Sequence, residues 1–217
     1  MPECSIECSV PVFDNAYVDA DMEQYPARAT VTCHENYVST KTNSKLYNIT
    51  EESLICNKTG SWIPDITCTY FLNIFNMALY KPARQSSTYV GFVANLATDG
   101  LWYPDFNDGS CMHADLLEES SWWEVDLLET YSIRRVVILI RKFALFAVRF
   151  HDVTITVGMK TNPKEFCAFY QGHEVHDSPI HLYCERRILG RYVRITKLND
   201  KYHQDNLAMC EVGVYED

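Results

Sequence analysis

The sequence predicts an all-β chain: a small disulfide-stapled domain followed by a larger β-sandwich, a jelly roll. Three observations carry this. No segment sustains a helical hydrophobic period. Stretches of period-2 alternation recur from residue 120 to the C-terminus. Nine cysteines in 217 residues are too many for an ordinary cytosolic protein and point to an oxidising compartment.

The first 68 residues are too short to bury a large core, and small secreted domains of that size depend on staples. Cys8, Cys33 (in Ala29-Thr-Val-Thr-Cys33), Cys56 and Cys68 recur through it, with Trp62 after Gly60-Ser61. Four cysteines allow three pairings, and spacing does not choose among them. Cys4 is left over and reads as an unpaired thiol near the chain start. Residues 69–75 are apolar and lack Gly and Pro, which predicts a short packed linker, not a flexible one.

Residues 76–217 then form the second domain. The predicted strands are Val125–Leu127, Ile133–Ile140, Val153–Val157, Tyr192–Ile195 and Glu211–Tyr215. Ahead of the first, Asp108-Gly-Ser-Cys-Met-His113 forms a polar loop, and Trp122-Trp123 opens the strand. A loop on a sandwich rim is where a binding site can be built without disturbing the core.

Composition narrows the function. A formal charge of -10 argues against nucleic acid or an anionic membrane as main partner. The longest apolar run, Val136–Ile140, cannot span a bilayer. Met1-Pro2-Glu3 does not begin a signal peptide, so the chain reads as a secreted protein or an ectodomain fragment. Asn48 and Asn57 head N-glycosylation sequons. No metalloprotease, nucleophile-elbow or phosphate-loop motif occurs, so an enzyme is not expected. His173, His176 and His181 cluster without metal-ligand spacing.

The first domain resembles a complement control protein (sushi) module over residues 8–68. Cys8, Tyr25-Pro26, Val31-Thr-Cys33, Tyr37, Cys56, Gly60-Ser-Trp62, Pro64 and Cys68 carry the match. The resemblance implies bridges Cys8–Cys56 and Cys33–Cys68, with Trp62 as a core residue.

The second domain resembles an F-type lectin, the fucolectin family with its discoidin-like fold. The match runs through Asn76-Met-Ala-Leu79, Lys81-Pro-Ala-Arg-Gln-Ser-Ser87, Ala97-Thr-Asp-Gly100, Gly109-Ser-Cys-Met-His113, Trp122-Trp-Glu-Val-Asp-Leu127, Leu189-Gly-Arg-Tyr-Val193 and Cys210-Glu-Val-Gly-Val-Tyr215. It implies bridges Cys111–Cys210 and Cys167–Cys184. It also implies a structural calcium. Asp99 and Glu211 would give carboxylates, Ser110 its hydroxyl and carbonyl, Leu101 and Cys210 carbonyls, and Asn95 or Leu96 a further carbonyl. Such oxygens suit a hard cation.

The sugar site the resemblance implies is a histidine and two arginines on L-fucose. His113 and Arg141 match. Phe143 stands where the family has an aspartate, Ala144-Leu145 replace a vicinal cysteine pair, and the second arginine comes one residue late, at Arg149. Phe106 and Phe143 are candidates to stack on the ring. If residues 148–150 were extended, a one-residue slip would turn Arg149 away; a bulge or longer loop would restore it. The expectation is an extracellular recognition module, lectin-like with an altered fucose-type site, for a glycan or cell-surface glycoprotein. Alternatives are a protein-binding ectodomain without sugar binding and discoidin-type membrane association. The apolar run 142–148 would serve either if exposed.

Overall fold

The computed structural model describes residues 8–22, 26–41, 50–102, 109–115, 119–141, 149–172, 179–199 and 205–217. Cys4, Tyr25, Asn48, Phe106, the run 142–148 with Phe143, His173 and His176 lie outside the described residues. The chain divides into two compact units, Met1–Ile74 and Phe75–Asp217. Both are built from antiparallel strands, and helix among the described residues is confined to two short 3-10 turns.

In the first unit, β1 (Ala16–Asp21), β2 (Arg28–Cys33), β4 (Glu51–Cys56) and β5 (Trp62–Ile63) form one sheet in the order β1-β2-β4-β5. β3 (Tyr37–Lys41) pairs with β6 (Ile66–Tyr70) in a second. Alternation along β2 and β4 points Ala29, Val31 and Leu54 into a core shared with Ile66, and Trp62 packs on it. The Trp62 indole N–H donates to the Ser9 carbonyl at 2.9 Å. So small a core is reinforced by two bridges, Cys8–Cys56 and Cys33–Cys68. Closing loops of 48 and 35 residues is worth roughly 4 kcal/mol each in the chain-entropy model. Of the segment expected as a linker, Thr69 and Tyr70 complete β6 and Phe71–Asn73 make a 3-10 turn. The Phe71 N–H donates to the Asn36 carbonyl at 3.0 Å.

In the second unit, β7 (Ala83–Gln85), β9 (Ser120–Leu139), β10 (Val153–Gly158), β11 (Glu165–Tyr170), β12 (Ile180–Leu198) and β14 (Glu211–Tyr215) form one sheet. Its order is β11-β10-β12-β9-β14, with β7 also on β9. The long strands β9 and β12 organise it. The first half of β9 pairs with the second half of β12, and the reverse. β7 joins β9 at Ala83–Gln85, and β14 joins its far half. Register shifts in β12 and the positive φ of Leu128 bend this ladder. Its inner face closes on one core that joins Trp123, Val125 and Leu127 to Ile133, Val136 and Ile138, and to Ile155, Val193, Ile195 and Val214. Gly190 sits at the bend because a Cβ there would strike Val157 and stand 3.0 Å from the Gly158 nitrogen. The result is the expected all-β sandwich.

The predicted Val125–Leu127 and Ile133–Ile140 segments are one strand, β9. β7, β11 and the first half of β12 were not foreseen. They carry exposed polar residues such as Arg84, Glu165 and Glu185-Arg186-Arg187, which blur the apolar alternation. Bridges Cys111–Cys210 and Cys167–Cys184 staple the unit. Three arginines of these strands find acids or a carbonyl: Arg135 binds Asp217 at 2.8 Å, Arg186 binds Glu165 at 2.9 Å, and Arg187 reaches the Glu216 carbonyl.

Candidate functional site

A two-stranded ribbon outside the main sheet, β8 (Met112–His113) with β13 (Ala208–Met209), presents His113. Backbone bonds fix its position. The His113 N–H donates to the Phe92 carbonyl at 3.1 Å, and its carbonyl accepts from the Tyr89 N–H at 3.0 Å. The Tyr89 ring lies 5.2 Å from the imidazole. His113 Nδ1 is 2.6 Å from the Ala114 carbonyl. A carbonyl can only accept, so Nδ1 carries the hydrogen and Nε2 holds a lone pair in the neutral ring. Burial pushes the His113 pKa below its ordinary value; the charges of Arg141 and Arg149 push it further, against the Ala114 carbonyl and Asp115. The imidazole is therefore neutral at physiological pH, with Nε2 an acceptor.

Arg141 follows the end of β9 and Arg149 precedes β10. Both line one small cleft with His113, together with Phe150, Asn206 and Ala208. Arg149 lies in a turn, not a strand, so the alternation that would flip an extended residue does not operate. The late arginine still reaches the cleft. Asn206 was not singled out from sequence. Buried, it donates to the Ala114 carbonyl at 3.1 Å, the same oxygen that orients His113, and nothing in Asp205-Asn-Leu-Ala208 marks it. Nor does sequence mark the neighbouring ion network. Fully buried Lys197 meets Asp205 at 3.1 Å, and His151 Nε2 meets the same carboxylate oxygen at 2.6 Å.

The second cluster centres on Asp99 and Glu211. Glu211 is wholly buried. Its Oε2 accepts from the Gly100 N–H at 3.2 Å, while Oε1 is buried with no partner. Asp99 Oδ1 accepts from the Leu101 N–H at 2.9 Å. Burial first, and the Asp99 charge second, push the Glu211 pKa up to about 9. Burial likewise raises Asp99. Ser110 is buried beside the Cys111–Cys210 bridge. Among the described residues no three His, Cys, Asp or Glu side chains converge, so a cation here would rest on two carboxylates and neutral oxygens. The residues fit one. Two facing acids and an orphaned carboxylate oxygen are costly when dry and uncompensated, and a divalent cation would relieve both.

Asn95 Oδ1 accepts from the Ala83 N–H at 3.2 Å, and its carbonyl accepts from the Thr98 N–H at 3.1 Å. Leu96 packs against the core, and Leu101 is exposed. In the first unit, the Asn57 side-chain oxygen accepts from the Thr59 hydroxyl at 2.7 Å. His181 contacts Arg135 Nη1 at 3.4 Å.

Comparison with known proteins decides the family. Fucolectin-1 of Anguilla japonica is 30% identical over 150 residues, covering 64% of this chain and 79% of the relative. The chain belongs to the fucolectin family. Fucolectin of Anguilla anguilla is 29% identical over 153 residues, covering 65% of this chain and 91% of that protein. A family model described as a NedA-like, galactose-binding domain matches residues 97–195. Among solved structures, the F-lectin from striped bass (Morone saxatilis) serum is 30% identical with a TM-score of 0.57, covering 64% of this chain and 47% of that one. A fucose binding module of Streptococcus pneumoniae is 28% identical with a TM-score of 0.55, covering 64% and 96%. The lectin domain of lectinolysin, solved with Lewis b antigen, is 25% identical with a TM-score of 0.58, covering 65% and 96%. This family membership matches the discoidin-like all-β fold of the second unit.

Proposed function

We propose that the second unit is a glycan-binding module that takes a fucose-type sugar in the cleft of His113, Arg141 and Arg149. One observation carries the reading: the three side chains line the same cleft despite the altered spacing and the lost aspartate. Its chemistry suits a sugar. Neutral His113 offers Nε2 as an acceptor for one hydroxyl, and two guanidiniums donate to vicinal or ring oxygens in fixed fork geometry. A neutral histidine also avoids a third positive charge beside two arginines. The relatives' binding of fucose and of Lewis b supports the same ligand class. The module acts by binding, not by catalysis, on glycans of cell-surface glycoproteins.

The cation proposed at Asp99 and Glu211 is calcium, held also by Ser110 and by the carbonyls of Leu101 and Cys210. The Asn95 carbonyl is already engaged by Thr98, through its N–H at 3.1 Å and its hydroxyl at 3.3 Å, which favours Leu96 as the further donor. Calcium would supply positive charge that orders these loops and would take no part in contacting the sugar. The first unit, with bridges Cys8–Cys56 and Cys33–Cys68, is proposed as a sushi module. Four bridges support a secreted or ectodomain location, with Asn48 and Asn57 as glycosylation sites. No described helix is long and apolar enough to cross a membrane.

A glycan array in calcium tests the reading. Binding to fucosylated glycans, abolished by His113→Ala, is the expected result. An array without any glycan hit would sink the lectin reading and leave a protein-binding ectodomain. Co-sedimentation with acidic or neutral vesicles would favour membrane association instead.

A further inference from the structure

The outer face of the main sheet carries a second, roomier cavity. It lies between β7, the first half of β9, the second half of β12 and the loop joining β10 to β11. Pro82, Ala83, Arg84, Asp126, Thr161 and Tyr192 line it, and its volume is about 290 Å³. That is at the lower edge of the range for small-molecule clefts, about 300–1,000 Å³, and so suits a single sugar ring. None of the residues assigned to the His113 cleft takes part.

Its electrostatics are specific. Glu124 is buried on the floor, and its four contacts come from this surface. Oε1 accepts from Arg84 Nε at 2.9 Å and Nη2 at 2.5 Å; Oε2 accepts from the Asn162 N–H at 2.8 Å and Arg194 Nη1 at 3.3 Å. Asp126 takes a bidentate contact from Arg191 at 2.6 and 2.7 Å. Arg84 and Arg194 both sit over the Trp122 ring, at 5.6 and 3.8 Å. Three guanidiniums therefore meet two carboxylates. Lys160 and Lys164 flank the Thr161 wall in sequence, and Lys164 Nζ reaches Asn162 Oδ1 at 3.2 Å. Both lining carboxylates are ion-paired, and the cations around the cavity outnumber them in a chain of net charge -10. Of the three guanidiniums, the Arg84 side chain is the most exposed, at 52%. Its Nε and Nη2 are engaged by Glu124, which leaves the Nη1 hydrogens of a lining residue to donate to a ligand.

We infer that this cavity is a second ligand site, for a monosaccharide carrying a sulfate or carboxylate. Arg84 takes the anionic group, Asp126 and Thr161 exchange hydrogen bonds with ring hydroxyls, and Tyr192 with Pro82 and Ala83 supplies the apolar wall for the ring face. Sulfate and carboxylate share the chemistry that an arginine fork recognises. The surrounding ion pairs hold Arg84 in place before the ligand arrives, which limits the ordering cost on binding.

The test is an amide and indole NMR titration of the full chain. Galactose 6-sulfate and glucuronic acid are expected to shift the Trp122 indole and the Thr161 and Asn162 amides, while neutral galactose leaves them unmoved. Arg84→Met should weaken the anionic sugars by roughly tenfold or more. That change also strips a partner from buried Glu124, so Thr161→Trp provides the second variant: it fills the cavity from an exposed position, leaves the ion pairs intact, and should abolish the shifts. His113→Ala should change nothing here, which separates this site from the proposed fucose cleft. Absence of shifts, equal binding of galactose, or loss with His113→Ala would overturn the proposal. Inorganic sulfate binding as tightly as galactose 6-sulfate would overturn recognition of the sugar ring.

Discussion

Glu211→Gln should stabilise the second unit in chelator and destabilise it, relative to wild type, in calcium. The reason lies in the raised pKa. In the metal-free fold Glu211 titrates at about 9 against a reference value of 4.5. Between those values the folded state holds a proton that the unfolded chain releases. The native state then binds more protons, and stability falls as pH rises. One pKa unit is about 1.4 kcal/mol, so moving from pH 5.5 to 7.5 in chelator costs the wild type about 3 kcal/mol. For a unit of this size that lowers Tm by roughly 6–12 °C. Asp99, also raised, acts in the same direction. Glutamine keeps the shape and has no proton to lose, so the variant's profile over this range should be nearly flat and lie above wild type at pH 7.5. Calcium reverses the order, because it binds the ionised pair. The deficit built up between pH 4.5 and 7.5 is about 4 kcal/mol, which a thousandfold excess of calcium over Kd matches with about 4.1 kcal/mol; above that excess the wild type is the more stable, since the variant gains nothing comparable. Differential scanning calorimetry at pH 5.5 and 7.5, with EDTA or calcium, reads all four conditions. A variant less stable than wild type in EDTA at pH 7.5, or a wild-type Tm indifferent to calcium, would refute the reasoning.

Other outcomes follow from the same geometry. His113, depressed below its ordinary 6.5, should titrate below that value by NMR. Sugar affinity should hold above pH 6.5 and fall only as acidification protonates Nε2; a fall beginning above pH 7 would count against the neutral acceptor. Asp205→Asn leaves fully buried Lys197 without its carboxylate, which should cost about 3–5 kcal/mol and roughly 10 °C in Tm. Asp126→Asn, which breaks the more exposed pair with Arg191, should stay within about 1 kcal/mol. Equal effects from the two would contradict the burial difference.

Much of the architecture was legible because it is written in local pattern. Val153–Val157 alternates, and it forms β10; Trp123, Val125 and Leu127 share one face of β9 because strand side chains repeat every two residues. What escaped was non-local. β9 runs unbroken through Leu128–Ser132, where polar residues and a positive φ mimic a turn, because β12 pairs with it on both sides, at Asp126 and again from Tyr131, from far along the chain. Arg149 illustrates the same limit at the site. Counting residues measures distance along a strand, and residue 149 is in a turn, where spacing does not set direction. The ion pairs around Glu124 were equally invisible, since Arg84, Glu124 and Arg194 come together only through pairings of β7, β9 and β12.

The two proposed sites share one piece of backbone. Ser110, Cys111, Met112 and His113 run antiparallel to Glu211, Cys210, Met209 and Ala208. Met112 pairs with Met209 and His113 with Ala208, and Cys111 is bonded to Cys210 one step on. The calcium residues Ser110 and Glu211 therefore stand at one end of this ribbon, and His113 and Ala208 of the cleft at the other. Two residues separate Ser110 from His113, so the cation would not touch a sugar there, yet it would hold the strand ends that carry the imidazole. Chelation should accordingly weaken sugar binding without changing which sugars bind. The disulfide makes the coupling separable. Replacing Cys111 and Cys210 together by serine opens a loop of 99 residues, at about 4.7 kcal/mol in the chain-entropy model. If the ribbon transmits the effect, this variant should bind sugar weakly even in saturating calcium, under conditions where circular dichroism shows it folded. A folded double-serine variant that binds like wild type and still responds to chelator would place the coupling elsewhere, in the loops that carry Asp99.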